Sequence, residues 1–198
     1  CRTGWVLALA SLDDLANVAV RVIPRLTELA GVANDIGAIG IDMPIGLPVS
    51  GQRECDVALR RYLGRRASSV FPAPVRALLE QPQLPDYASA RRISLATHGK
   101  SLSVQAFNLL PKIAEVDAFV HSRPSADVVE VHPEAAFTAM NGREPLVSGK
   151  KTVHGRLERS ALLERAFGNA IGLPRLPGAA PDDVLDAVAA LWSAARWS

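Results

Sequence analysis

The chain has 198 residues, with 22 basic and 20 acidic side chains, 48% hydrophobic residues and a net charge of +2. That balance suits one ordinary globular core and excludes wholesale disorder. No apolar run reaches the ~18 residues of a membrane span, and no basic segment leads into an apolar stretch as in a secretory signal. Two cysteines, Cys1 and Cys55, exclude a disulfide framework and a four-cysteine zinc site. A cytoplasmic protein with no membrane partner is expected. Of the basic residues 18 are Arg and 4 are Lys. Arginine offers a planar fork of donors suited to phosphate. A GC-rich genome gives the same excess, so the positions matter more than the number.

In chain order, residues 5–10 and 17–23 read as strands, and 25–31 as a short helix stopped by Gly31. The apolar run 36–41 suits a strand buried on both faces. Two prolines and a glycine break regular structure over 42–48. Residues 53–63 are helical, 68–74 extended by proline constraint, and 75–80 a short helix. Helices follow at 87–97 and 103–121, the second broken or kinked at Pro111. Residues 128–131 form another buried strand. Helices at 134–140, 155–167 and 181–196 complete the chain, with Pro181, Asp182 and Asp183 favouring the start of the last. The order predicts one α/β domain with a mixed central sheet flanked by helices.

The acids stand where chemistry can gather. Asp42 follows a buried strand, and ligands of open α/β sheets collect beyond strand carboxyl ends. Glu130 lies in the second buried strand, on the same face as Val128 and His132. Asp183 and Asp186 are three apart on the final helix, with Asp186 at the edge of its buried stripe. Carboxylates from three segments form an all-oxygen set suited to Mg²⁺ or Mn²⁺, and paired ions about 3.5–4 Å apart drive phosphodiester cleavage. Each acid also has a plainer role. Asp42 can cap a turn, Asp182 and Asp183 can start the helix, Glu130 can pair with an arginine, and His132 can shape the turn before Pro133.

The basic residues form a second set. Arg60, Arg61, Arg65 and Arg66 lead into Ser68 and Ser69, either as a solvated helix face or as a strip contacting phosphate. Arg76 joins that substrate-binding set. Lys112 sits in an apolar setting, and Lys150, Lys151 and Thr152 follow Gly149. The last string lacks the glycine spacing and the preceding strand of a phosphate loop. Zincin, serine-hydrolase and dinucleotide motifs are absent.

Several strings occur together: Asp42-Met-Pro-Ile-Gly-Leu-Pro48, Ser68-Ser-Val-Phe-Pro-Ala-Pro74, Leu110-Pro-Lys-Ile-Ala-Glu-Val-Asp117, Glu130-Val-His-Pro-Glu134 and Asp183-Val-Leu-Asp186. In order and spacing the whole chain resembles the domain-of-unknown-function family 429, described as predicted nucleases with a ribonuclease-H-like fold. The resemblance implies a metal-dependent nuclease. Asp42, Asp183 and Asp186 would be metal ligands, beside a first-strand Asp expected two residues before Cys1. Glu130 and Glu134 match the family's own signature. Glu130 joins the catalytic acids, and Lys112, Lys151 and Arg66 would steady phosphate charge. Ser68, Ser69, Arg76, His132 and Glu134 would contact the nucleic-acid substrate. Two other readings use the same scaffold. One is a non-catalytic binder of nucleic acid or nucleotides, and the other is a phosphotransferase or phosphatase acting on small molecules.

Overall fold

A computed structural model describes residues 4–29, 36–122, 126–168 and 174–197. Within the single domain read from the sequence, packing distinguishes two compact units. One comprises Cys1–Asp42 with Arg123–Ser198, and the other is Met43–Ser122, inserted between those segments. Among the described residues no helix is long and apolar enough to cross a membrane.

The first unit opens with an antiparallel hairpin of β1 (Trp5–Ser11) and β2 (Asp14–Ile23). Trp5 faces Ile23, and the register shifts between Leu9 and Ser11. Leu26–Leu29 then form a 3-10 turn; the stop expected at Gly31 lies outside the described residues. Strand β3 (Ala38–Ile41) runs parallel to β4 (Asp127–Glu130), with Ile41 opposite Glu130. Helices α1 (Glu54–Leu63), α2 (Tyr87–His98) and α3 (Val104–His121) belong to the second unit. The first unit ends with α4 (Pro133–Met140), α5 (Val153–Phe167) and α6 (Pro181–Ala195).

The chain is therefore mixed α/β, but one continuous sheet is not what its strands form. Among the described residues they make two two-stranded sheets, one antiparallel and one parallel. Strand β4 is also not buried on both faces: Asp127 and Glu130 are exposed and the two valines between them only half-buried. Helix α6 packs on both β1 and β3. Gly40 permits this approach, because a Cβ there would lie 2.7 Å from the Ala190 carbonyl oxygen. The core of the unit joins Phe137, Leu146, Leu163, Leu185 and Val188, with Ala8, Val18 and Val20 of the hairpin against it. Burial of such side chains contributes about 1.5–3 kcal/mol each.

The second unit is helical. Asp86 caps α2 by accepting from the Ser89 N–H, and Ser103 caps α3 by accepting from the Ala106 N–H. Its core includes Val75, Leu78, Ala90, Leu102, Ala106 and Leu110. Helix α3 runs through Pro111 instead of breaking there. Pro111 is exposed, while Ala106, Leu110, Ile113, Val116 and Phe119 are buried along the helix, so packing outweighs one missing hydrogen bond. The segment expected to extend from residue 68 is instead a 3-10 turn over Gly64–Ser69. The Ser69 hydroxyl donates to the Arg66 carbonyl at 2.8 Å and prolongs the turn; extended backbone begins at Val70.

Candidate active site

Strand β3 delivers Asp42 to the end of the parallel pair, where the Val131 N–H still donates to the Ile41 carbonyl at 2.9 Å. Met43, Pro44 and Ile45 follow without regular structure, because Pro44 cannot donate to a ladder. The protein around the Asp42 carboxyl, then the like charges of Asp186 and Glu130, lift its pKa from 3.8 to about 7; Lys150 pulls the other way. The residue as a whole is nonetheless exposed to solvent, which screens these interactions.

Asp186 comes from the apolar face of α6, between Leu185 and the buried Val188 and Ala189, and is itself buried. Desolvation raises its carboxyl above the ordinary range; Lys150 opposes this, and Asp182 and Glu134 add to it. Lys150 lies in the loop before α5 and places Nζ 2.6 Å from Asp186 Oδ2. Burial alone would lower the Lys150 ammonium, but the carboxylates of Asp186, Asp42 and Asp182 hold it above its usual value. Beside this group runs a buried ion pair: Arg159 Nη2 of α5 donates to Glu134 Oε1 of α4 at 2.7 Å. Glu134 is thus 8% exposed and Arg159 fully buried, which removes Glu134 from the exposed surface expected of a substrate contact.

Of the remaining predicted residues, Asp183 and Glu130 stay within electrostatic reach of this group. Asp183 accepts from the Ala180 N–H at 3.0 Å and starts α6, the plainer of its two readings. Burial would raise its carboxyl, but that hydrogen bond and Lys150 hold it below the usual range. Glu130, exposed at the end of β4, stays within electrostatic reach of Asp42. His132 occupies the N-cap position of α4 and is half-buried. Lys151 is exposed, and its carbonyl accepts from Arg156 at 2.7 Å. Lys112, Arg66, Ser68, Ser69 and Arg76 belong to the second unit. There Arg76 donates to Asp117 at 2.8 Å, and Arg60 donates to the Val70 carbonyl at 2.9 Å, so two of the arginines serve local structure.

By themselves Asp42, Asp183 and Asp186 do not form a three-ligand cage; the first-strand Asp that the resemblance adds to them would precede Cys1. Among the described residues no three His, Cys, Asp or Glu side chains gather closely enough to hold a metal ion. Two contacts account for this: Asp183 serves the helix start, and an ammonium already occupies an oxygen of Asp186. What the arrangement offers instead is a carboxyl that exchanges its proton near neutrality beside a lysine held cationic. Lys150 and Arg159 are absent from the residues expected to act. Thr152 is the signal that would have found Lys150. It caps α5, so the helix starts at Val153 rather than 155; before it Lys150 donates to Asp186 and Lys151 is exposed.

The chain matches, over residues 1–198, the family model described as "Protein of unknown function (DUF429)". No curated protein and no solved structure matches it.

Proposed function

This chain belongs to that family of proteins of unknown function, and we propose that it hydrolyses phosphodiester bonds in nucleic acid, on a ribonuclease-H-like scaffold in the cytoplasm. The order of elements supports this reading: a hairpin, a parallel pair with an acid just past β3, and a final helix carrying a second acid. These are the places the sequence resemblance gives to catalytic acids. The observation that carries the proposal is Asp42, lifted to about 7 beside the Lys150–Asp186 pair. A group that exchanges its proton near neutral pH is matched to acid–base work.

In this reading the oxygen of a water molecule attacks phosphorus while the Asp42 carboxylate takes its proton. The bond from phosphorus to the leaving oxygen breaks, and that oxygen is protonated from solvent. Lys150 faces the phosphate oxygens with a fixed positive charge, and Asp186 holds its ammonium in place. No step in this scheme is routed through a metal ion; Asp42 and Asp186 are the described acids that would hold Mg²⁺ or Mn²⁺, which when bound would supply activation of the attacking water.

The test is cleavage of end-labelled single- and double-stranded DNA, RNA and RNA–DNA hybrid, each with and without Mn²⁺. The protein should cut at least one of these, and Asp42→Asn should lower the rate about 100-fold or more. If no substrate is cut, or if the variant cuts equally fast, the proposal fails.

A further inference from the structure

Lys150 is carried by a loop that is fastened onto the first turn of α5. Thr152 Oγ1 donates to the Gly149 carbonyl at 2.8 Å and accepts from the Gly155 N–H at 3.0 Å. The Thr152 N–H donates to the same Gly149 carbonyl at 3.0 Å. Gly155 leaves room for that carbonyl: a Cβ would stand 2.1 Å from it. Beneath the loop lies Arg159, fully buried, with its guanidinium 5.3 Å from the centre of the Phe137 ring. One nitrogen, Nη1, donates to the Ser148 carbonyl at 3.2 Å and to the Gly155 carbonyl at 2.9 Å. The other, Nη2, donates to Glu134 at 2.7 Å.

A buried arginine that served only to neutralise Glu134 would need no bond to the loop. Here a single planar fork ties α4, the first turn of α5 and the backbone two residues before Lys150. A lysine presents a point charge without that fork and cannot reproduce it. We propose that Arg159 is a positioning residue: it fixes the Ser148–Thr152 loop so that the Lys150 ammonium rests on Asp186. Its catalytic meaning rests on the phosphodiester reading above; the clamp itself does not.

The experiment asks whether the link between Lys150 and Asp186 depends on Arg159. Unfolding in urea is measured for the full chain, Lys150→Met, Asp186→Asn and the double variant, giving the coupling between the two side chains. The same four proteins are then made with Arg159→Lys, which leaves Glu134 a cationic partner. General destabilisation cancels within each cycle. The coupling should be clear with Arg159 in place and fall to within error of zero in the Arg159→Lys background. If Arg159→Lys does not fold, the cycle is run in the pair Glu134→Leu and Arg159→Met, since a buried ion pair replaced as a pair by apolar residues is often tolerated. The same loss is expected there. Undiminished coupling in either folded background overturns the proposal. Because the readout is unfolding, a chain that cuts no nucleic acid leaves this result intact. If the chain does cut, Arg159→Lys should slow it about 10-fold with Lys150 present and add nothing to Lys150→Met.

Discussion

In the unit Met43–Ser122 a deeply buried aspartate has an arginine to itself, whereas in the other unit three aspartates share one lysine. Arg53 grips Asp56 through Nε and Nη2, one hydrogen bond to each carboxylate oxygen, and uses Nη1 for the Ile45 carbonyl. Arg76 likewise answers Asp117, and that hydrogen bond holds its guanidinium above the ordinary value. Each of these two aspartates has an arginine donating directly to its carboxylate. Around Asp42 the balance is broken: Asp186 and Glu130 both push its carboxyl up, and Lys150 offsets only part of that. The same residue types are structural where each has a partner and chemically poised where acids outnumber cations.

The difference can be broken from both sides. Glu134→Ala strips the fully buried Arg159 of its carboxylate, and leaving a buried charge without its ion-pair partner destabilises by about 3–5 kcal/mol. The shift of the urea midpoint measures this, and a loss under about 1 kcal/mol would mean that Arg159 is held mainly by the loop carbonyls. Arg53→Ala leaves the buried Asp56 without its cation and frees the Ile45 carbonyl, for a loss of about 3 kcal/mol, the low end of the same range because this pair is less completely buried than Arg159. Cleavage by the folded Arg53 variant should match that of the unaltered chain. A large fall in rate with little loss of stability would show that this pair, too, does more than hold the fold.

How far the sequence alone reaches is clear from these same residues. Asp42 and Asp186 were legible because each has a local signature: an acid after an apolar run, and an acid at the edge of a helical stripe. The strands, and the six helices among the described residues to within a few residues, were legible for the same reason, since periodicity is a local property. Lys150 was not, because its role depends on an aspartate 36 residues away and on a helix start fixed by Thr152. The Glu134–Arg159 pair was hidden likewise, since a charged residue on a helix usually faces water and only the packing of α4 on α5 shows otherwise. The unbroken α3 and the separation of the strands into two sheets depend on packing that no window of sequence contains.

The smallest effect is the one most specific to the crowded site. A carboxyl raised from 3.8 to about 7 on folding binds its proton more tightly in the folded chain than in the unfolded one. Its contribution to stability is therefore fully present below about pH 4 and is lost as pH rises through 7. Asp186, also raised, acts with the same sign. Lys150 starts from 10.5 and is raised further, so it titrates above this window and leaves the slope alone. Asp42→Asn removes the titration, so the variant should gain on the unaltered chain between pH 4 and pH 8. Water reaches Asp42 and screens its neighbours, so the gain at pH 8 should be about 1 kcal/mol rather than the full value of the shift. Urea midpoints at pH 4.5, 6 and 8 measure it. Parallel curves for the two proteins would mean that Asp42 is an ordinary surface acid, and the contrast between the two units would then lose its chemical half.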